Sequence, residues 1–128
     1  MALQATLFYS GILGCLYVYL STEITKLRVK YQVGLGDGGH PDLLKAIRIH
    51  GNFSEYVPFT LFLLLLCELI GSRPWMIHTL GMTFVIARIF HIIGLRKIEG
   101  PSIYCFLGAA LTWLVILILS IFCLASAF

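Results

Sequence analysis

Charged side chains are scarce in this chain. Asp, Glu, Lys and Arg make up 12% of its 128 residues, while hydrophobic residues make up 59%. A water-soluble domain of this size needs more charge to cover its surface, so the expected solvent is lipid. No long polar stretch is left over for a second domain. The four cysteines (Cys15, Cys67, Cys105, Cys123) have no paired spacing and lie in apolar runs. That pattern excludes a disulfide framework and a zinc site, leaving them as small apolar fillers. No Cys-His or carboxylate spacing points to any other metal. The start, Met1-Ala2-Leu3-Gln4, lacks the basic segment of a signal peptide, and the apolar stretch behind it is too long for one. It reads as a retained transmembrane helix. A net charge of +3 is too small to indicate a nucleic-acid partner.

What is present is a set of long apolar runs. A hydrocarbon core of roughly 30 Å takes about 20 helical residues to cross. The sequence offers four spans, at about 3–25, 43–70, 75–95 and 103–126, and the fold class is an all-α integral membrane protein, a four-transmembrane-helix bundle. Trp75 and Tyr104 sit near span ends, where interfacial aromatics belong. Gly71-Ser72-Arg73-Pro74 reads as a tight turn and Pro41-Asp42 as a helix start. The segment Gly34 to Gly39 matches G-x-G-x-x-G in form only: a membrane span precedes it instead of a strand. It is a turn, not a dinucleotide site. Lys26, Arg28, Lys30, Lys45 and Arg48 flank the first loop, and Arg96 and Lys97 fall in the third, whereas Arg73 alone marks the second. The positive-inside rule then places loops one and three in the cytosol and both termini on the non-cytosolic side.

The second span is unusual. Its strongly apolar part, Val57 to Ile70, covers only about 21 Å as a helix. The helix must therefore borrow about six upstream residues to cross, among them Asn52 and Glu55. Arg48, Asn52, Glu55 and Phe59 fall within an arc of about 60° on a helical wheel, with Tyr56 flanking and His50 pointing away. A charge at the bilayer centre costs on the order of 2.5–3.5 kcal/mol even on the lenient scale. This face is therefore expected to look into a bundle or cavity, with Arg88 and His91 of the third span as basic counterparts to Glu55. A structural network that fixes helix register and a binding site are both open readings of this spacing. The excess of Arg28, Arg48, Arg88, Arg96 and Lys97 over one acid, Glu55, favours an anionic ligand.

The stretch Arg48-Ile49-His50-Gly51-Asn52-Phe53-Ser54-Glu55-Tyr56-Val57-Pro58 resembles the helix-two signature R-x-x-x-N-x-x-E-Y-x-P of the MAPEG family, the membrane-associated proteins in eicosanoid and glutathione metabolism. The likeness covers essentially the whole chain, including the basic end of helix one, the Gly-rich loop and an Ala87-Arg88 pair. The Gly-Asp-Gly-Gly loop and short tail are most similar to the bacterial branch, which implies a bacterial inner membrane. The resemblance implies a homotrimer with glutathione, as co-substrate, bound between subunits and open to the cytosol. It implies contacts from Arg48, Asn52, Glu55 and Tyr56 of one subunit, with Arg28 and His50 of its neighbour, and with Arg88 and His91 nearby. Two arginines suit glutathione's carboxylates, Glu55 its ammonium, and Asn52 an orienting role.

The implied reaction is thiolate attack on a lipophilic electrophile that arrives with the membrane lipids. The chain departs from the family pattern in three places, one of them His91, at a tyrosine position where some branches also carry histidine. Leu95 stands where the better-known synthases carry tyrosine. Gly100-Pro101-Ser102 stands where they carry an arginine that activates the thiol, leaving Arg96, Lys97 and Ser102 as the candidates for that role. Three functions compete: a glutathione transferase or peroxidase, a non-catalytic lipid- or glutathione-binding scaffold of the same fold, and a small four-span transporter. The last relies on a central acid in helix one, whereas Glu23 lies at that helix's end. Glu68 and His78 are expected to be structural, and His40 to be solvated.

Overall fold

The computed structural model describes residues 3–97, 100 and 102–127. It contains four helices, α1 (Gln4–Tyr31), α2 (Pro41–Leu69), α3 (Pro74–Arg96) and α4 (Ile103–Ala125). Each is long and apolar enough to cross a membrane. The expected all-α four-span architecture is thus the observed one. α2 and α3 form the middle of the bundle; α1 packs on both from one side, α4 packs on both from the other, and α1 and α4 do not touch. α3 is the most enclosed helix, and α4, the most apolar, leaves most of its surface uncovered.

Local chemistry sets the ends. Pro41 and Pro74 occupy first-turn positions, where a missing N–H costs nothing. α2 stops in a Schellman motif: Gly71, at φ +82°, donates its N–H to the Glu68 carbonyl and Ser72 donates to the Cys67 carbonyl. Ser102 caps α4, its Oγ accepting from the Tyr104 N–H at 3.2 Å. α1 continues well past residue 25, because Lys26–Tyr31 interrupts the apolar run without interrupting helix propensity. Arg28 and Lys30 in its last turn suit the negative end of the helix dipole. The Gly34–Gly39 segment is a turn, with Gly36, Gly38 and Gly39 all at positive φ.

Two polar contacts tie the end of the bundle holding the α2–α3 turn. The Glu68 carboxylate accepts the backbone N–H groups of Ala5 and Thr6 at 3.1 and 2.8 Å, and so caps α1 from another helix. The Tyr9 hydroxyl donates to the His78 carbonyl at 2.9 Å. Glu68 and His78 are therefore structural, as expected. His40 differs from a freely solvated residue: its ring stacks on Tyr31 with centroids 3.8 Å apart. The cysteines also depart from sequence spacing. Cys67 and Cys123 bring their sulfurs to 3.6 Å although 56 residues separate them.

The tightest seam is α3 on α4, because glycine allows backbone to meet backbone. A Cβ on Gly108 would lie 2.7 Å from both the Ala87 carbonyl oxygen and the His91 nitrogen. One on Gly94 would lie 2.5 Å from the Cys105 nitrogen. Small residues at helix crossings are the usual means of close approach in lipid, where the hydrophobic effect does not press helices together.

Candidate functional site

α2 rises about 43 Å over its 29 residues. With one boundary at Leu69, a core of roughly 30 Å reaches back about 20 residues. Arg48 then lies at the opposite boundary, while Asn52 and Glu55 lie inside the hydrocarbon. Arg48 and Glu55 are exposed, as is Phe59 at 52%. Among the described residues neither charge has an ion-pair partner; the one salt bridge joins Arg96 to Glu23. The protomer thus presents, at membrane depth, a stripe carrying an uncovered carboxylate and an uncovered guanidinium. Lipid is a poor cover for such groups.

The expected pairing of Arg88 and His91 with Glu55 is not what the structure shows. Arg88 is turned into the protomer and is 2% exposed. Its Nη1 donates to Asn52 Oδ1 at 2.8 Å, and its Nη2 donates to Thr112 Oγ1 and to the Gly108 carbonyl, the latter at 3.4 Å. The Tyr56 and Phe84 rings flank the guanidinium at 5.4 and 5.8 Å. A buried cation without a carboxylate needs such acceptors, and three from two helices serve its Nη1 and Nη2, while its buried Nε has no partner among the described residues. His91 is buried too, against the Gly108 crossing. Arg88 therefore orients Asn52 and braces Tyr56 from behind, and the α2 stripe is held by a network reaching α4.

The remaining nominated residues divide between two edges. On one, Arg48 shares a cavity of about 280 Å³ with Leu95, Ser102 and Cys105. Beyond Glu55 and Tyr56, a second, mostly apolar groove of about 550 Å³ continues along Phe59, Trp113, Ile116 and Leu117 to Ser120. The Trp113 Nε1 donates to the Tyr56 hydroxyl at 3.3 Å at its head. On the other edge, His50 lies about 160° around α2 from Arg48. It meets α1, with Nε2 2.9 Å from Ser21 Oγ and its ring 4.9 Å from that of Tyr17. Arg28 sits further along α1 and donates to the Gly36 carbonyl at 2.9 Å. One chain does not bring Arg28 and His50 to Arg48 and Glu55.

The basic excess read from the sequence around Glu55 is likewise dispersed. Arg88 is internal and Arg28 holds the loop. Arg96 is ion-paired with Glu23 and donates to the Tyr19 hydroxyl on the α1 side. Lys97 is exposed just beyond α3. Of the three candidate thiol activators, only Ser102 lines a cavity with Arg48. Pro101 of that segment lies outside the described residues. Sequence reasoning missed Thr112, Trp113, Gly108 and Cys105, because the uniformly apolar α4 gives no polar register from which to choose them. No group of three or more His, Cys, Asp or Glu suited to a metal occurs among the described residues.

The MAPEG family model matches residues 6–125. The inner membrane protein YecN of Escherichia coli strain K12 is 38% identical over 86 residues, which is 67% of this chain and 66% of that protein. The protein of the same name from Escherichia coli O6:H1, strain CFT073, matches to the same extent. The chain spans just under two thirds of the length of these curated relatives.

Proposed function

The chain belongs to the MAPEG family, and on that premise we propose that it binds glutathione between the subunits of a homotrimer and transfers its thiolate to lipophilic electrophiles. The observation that carries this reading is the uncovered stripe of Arg48 and Glu55 at membrane depth. A neighbouring copy covers it without exposing charge to lipid, and that copy's free edge bears Arg28 and His50. Two half-sites on opposite edges of one protomer, closed by rotation, suit a cyclic assembly. Arg48 and the neighbour's Arg28 take glutathione's two carboxylates, Glu55 takes its ammonium, and Asn52, fixed by Arg88, orients the peptide.

Loops one and three face the cytosol in this arrangement, so glutathione enters from that side. The Ser102 hydroxyl, in the cavity with Arg48, donates a hydrogen bond that favours the ionised thiol, and the thiol proton leaves to solvent. The thiolate then attacks the electrophilic carbon, forming a carbon–sulfur bond while the leaving group departs with its electron pair. The groove headed by Tyr56 and Trp113 is open and mostly apolar, as a lipid-soluble reactant requires. Holding both reactants there supplies much of the acceleration.

A second reading, a binding scaffold without turnover, is favoured by one specific feature. Leu95 carries no hydroxyl in the Arg48 cavity, and Arg96 is occupied by Glu23. The test combines calorimetry with a conjugation assay using an aryl halide, and a peroxidase assay using a hydroperoxide. Glutathione binding that Arg48→Ala and Glu55→Ala both abolish, together with turnover, is the expected result. Binding without turnover of either substrate establishes the scaffold, and unchanged affinity in both variants removes the site altogether.

A further inference from the structure

A cavity of about 430 Å³ opens at the basic end of the bundle, between α1 and α2, with α3 closing its back. It lies beside the Arg48 cavity, with Lys45 on the ridge between the two. On α1 its residues lie away from Arg28, and on α2 Ile49, Asp42 and Ala46 fall in the arc between the Arg48–Glu55 stripe and His50, with Lys45 at the edge of the stripe. Its floor is apolar, formed by Leu27, Ala46 and Ile49.

The charges around it do not balance. Glu23 is neutralised by Arg96 and also accepts from the Tyr19 hydroxyl at 3.0 Å. Asp42 accepts from the Tyr31 hydroxyl at 2.6 Å, which turns it towards the α1 end. Lys26 and Lys45, one from each wall, have no carboxylate within salt-bridge distance among the described residues. Lys26 is exposed and Lys45 half-buried. By helical rise, Lys26 lies about 33 Å from the start of α1 and Lys45 about 36 Å from the end of α2. Both therefore sit just beyond a hydrocarbon core of roughly 30 Å, at headgroup level.

We propose that this cavity binds a phosphate ester carried on an apolar stem, the headgroup of an anionic phospholipid, with Lys26 and Lys45 gripping the phosphate. Two unpaired ammonium groups above an apolar floor match an anion that is attached to a chain. A soluble phosphate uses the lysines but gains nothing from Leu27, Ala46 and Ile49. Long lysine side chains at the interface can rise to meet a phosphate while their stems stay against the apolar wall. The volume is within the range of small-ligand sites, roughly 300–1,000 Å³.

The test uses the full-length protein in detergent, with lipid retention read by native mass spectrometry. The probes are phosphatidylglycerol, phosphatidylcholine as the lipid without net charge, and glycerol phosphate as the anion without a chain. Phosphatidylglycerol is expected to bind in preference to phosphatidylcholine. Lys26→Gln with Lys45→Gln should weaken its binding about thirty-fold, the factor two interfacial lysines supply together. Lys30→Gln, on the exposed side of α1, should leave it unchanged. Raised salt should weaken binding to the native protein, a readout independent of any variant. Glycerol phosphate competing as strongly as the lipid would assign the lysines to a soluble anion and overturn the lipid assignment. Equal retention of the two lipids, or retention indifferent to both lysine changes, would overturn the site itself.

Discussion

Gly108→Ala probes the packing that holds the candidate site in shape. The added Cβ meets two backbone atoms of α3 at 2.7 Å, whereas ordinary contact begins at 3.4 Å. Backbone within a helix cannot rotate aside as a side chain can, so α3 and α4 must part by about 0.7 Å at the crossing. A gap of about 0.5–1 Å forfeits roughly a quarter to a half of the dispersion energy of the atoms along it. Overpacking of this kind costs about 1–3 kcal/mol. The displacement also carries Thr112 away from Arg88, so the hold on Asn52 loosens. Equilibrium unfolding in mixed micelles, followed through tryptophan emission, should report a loss in that range. Glutathione affinity should fall in parallel. Gly14→Ala is the informative companion, because a Cβ there meets nothing within 4 Å; its cost should be smaller. A Gly108→Ala protein as stable as the native one would refute the close α3–α4 approach and the reasoning built on it.

Three further outcomes are expected. Glu68→Ala removes the carboxylate that accepts the Ala5 and Thr6 N–H groups; hydrogen bonds to a charged group are worth about 1.5–3 kcal/mol, and amide exchange at the start of α1 should rise first. Arg88→Lys keeps the charge but loses the fork that reaches Asn52 and Thr112 together. Calorimetry should then show glutathione binding about tenfold weaker, the effect of one oriented hydrogen bond. Trp113→Phe removes the donor to the Tyr56 hydroxyl but keeps an aromatic wall; KM for a lipophilic electrophile should rise while glutathione affinity holds.

The architecture was legible because its determinants are local. Apolar runs of membrane length gave the four helices, and Pro41, Pro74 and Gly71 marked three of their ends. α2 was the most legible helix, since a span too short in apolar residues must carry polar ones into lipid. The end of α1 was not legible: a hydropathy run stops at Lys26, but a helix has no reason to. The site was legible on one side only. Arg48, Asn52 and Glu55 share a helical face by periodicity, yet Asn52's true partner, Arg88, is set by how α2, α3 and α4 meet. Thr112 is a single hydroxyl in a helix with no polar pattern. The capture of Arg96 by Glu23, 73 residues earlier, depends on tertiary packing that no spacing encodes.

A subunit-complementation measurement tests the shared site most directly. Arg48→Ala and Arg28→Ala each remove one half-site, and each protein alone should bind no glutathione. In a trimer containing both variants, one of the three interfaces joins two intact halves, so equal co-expression should restore about a quarter of the native binding capacity. Calorimetry on the mixed assembly recovering that fraction is the predicted result. No recovery, with mixed trimers shown to form, would contradict a site divided between neighbouring subunits.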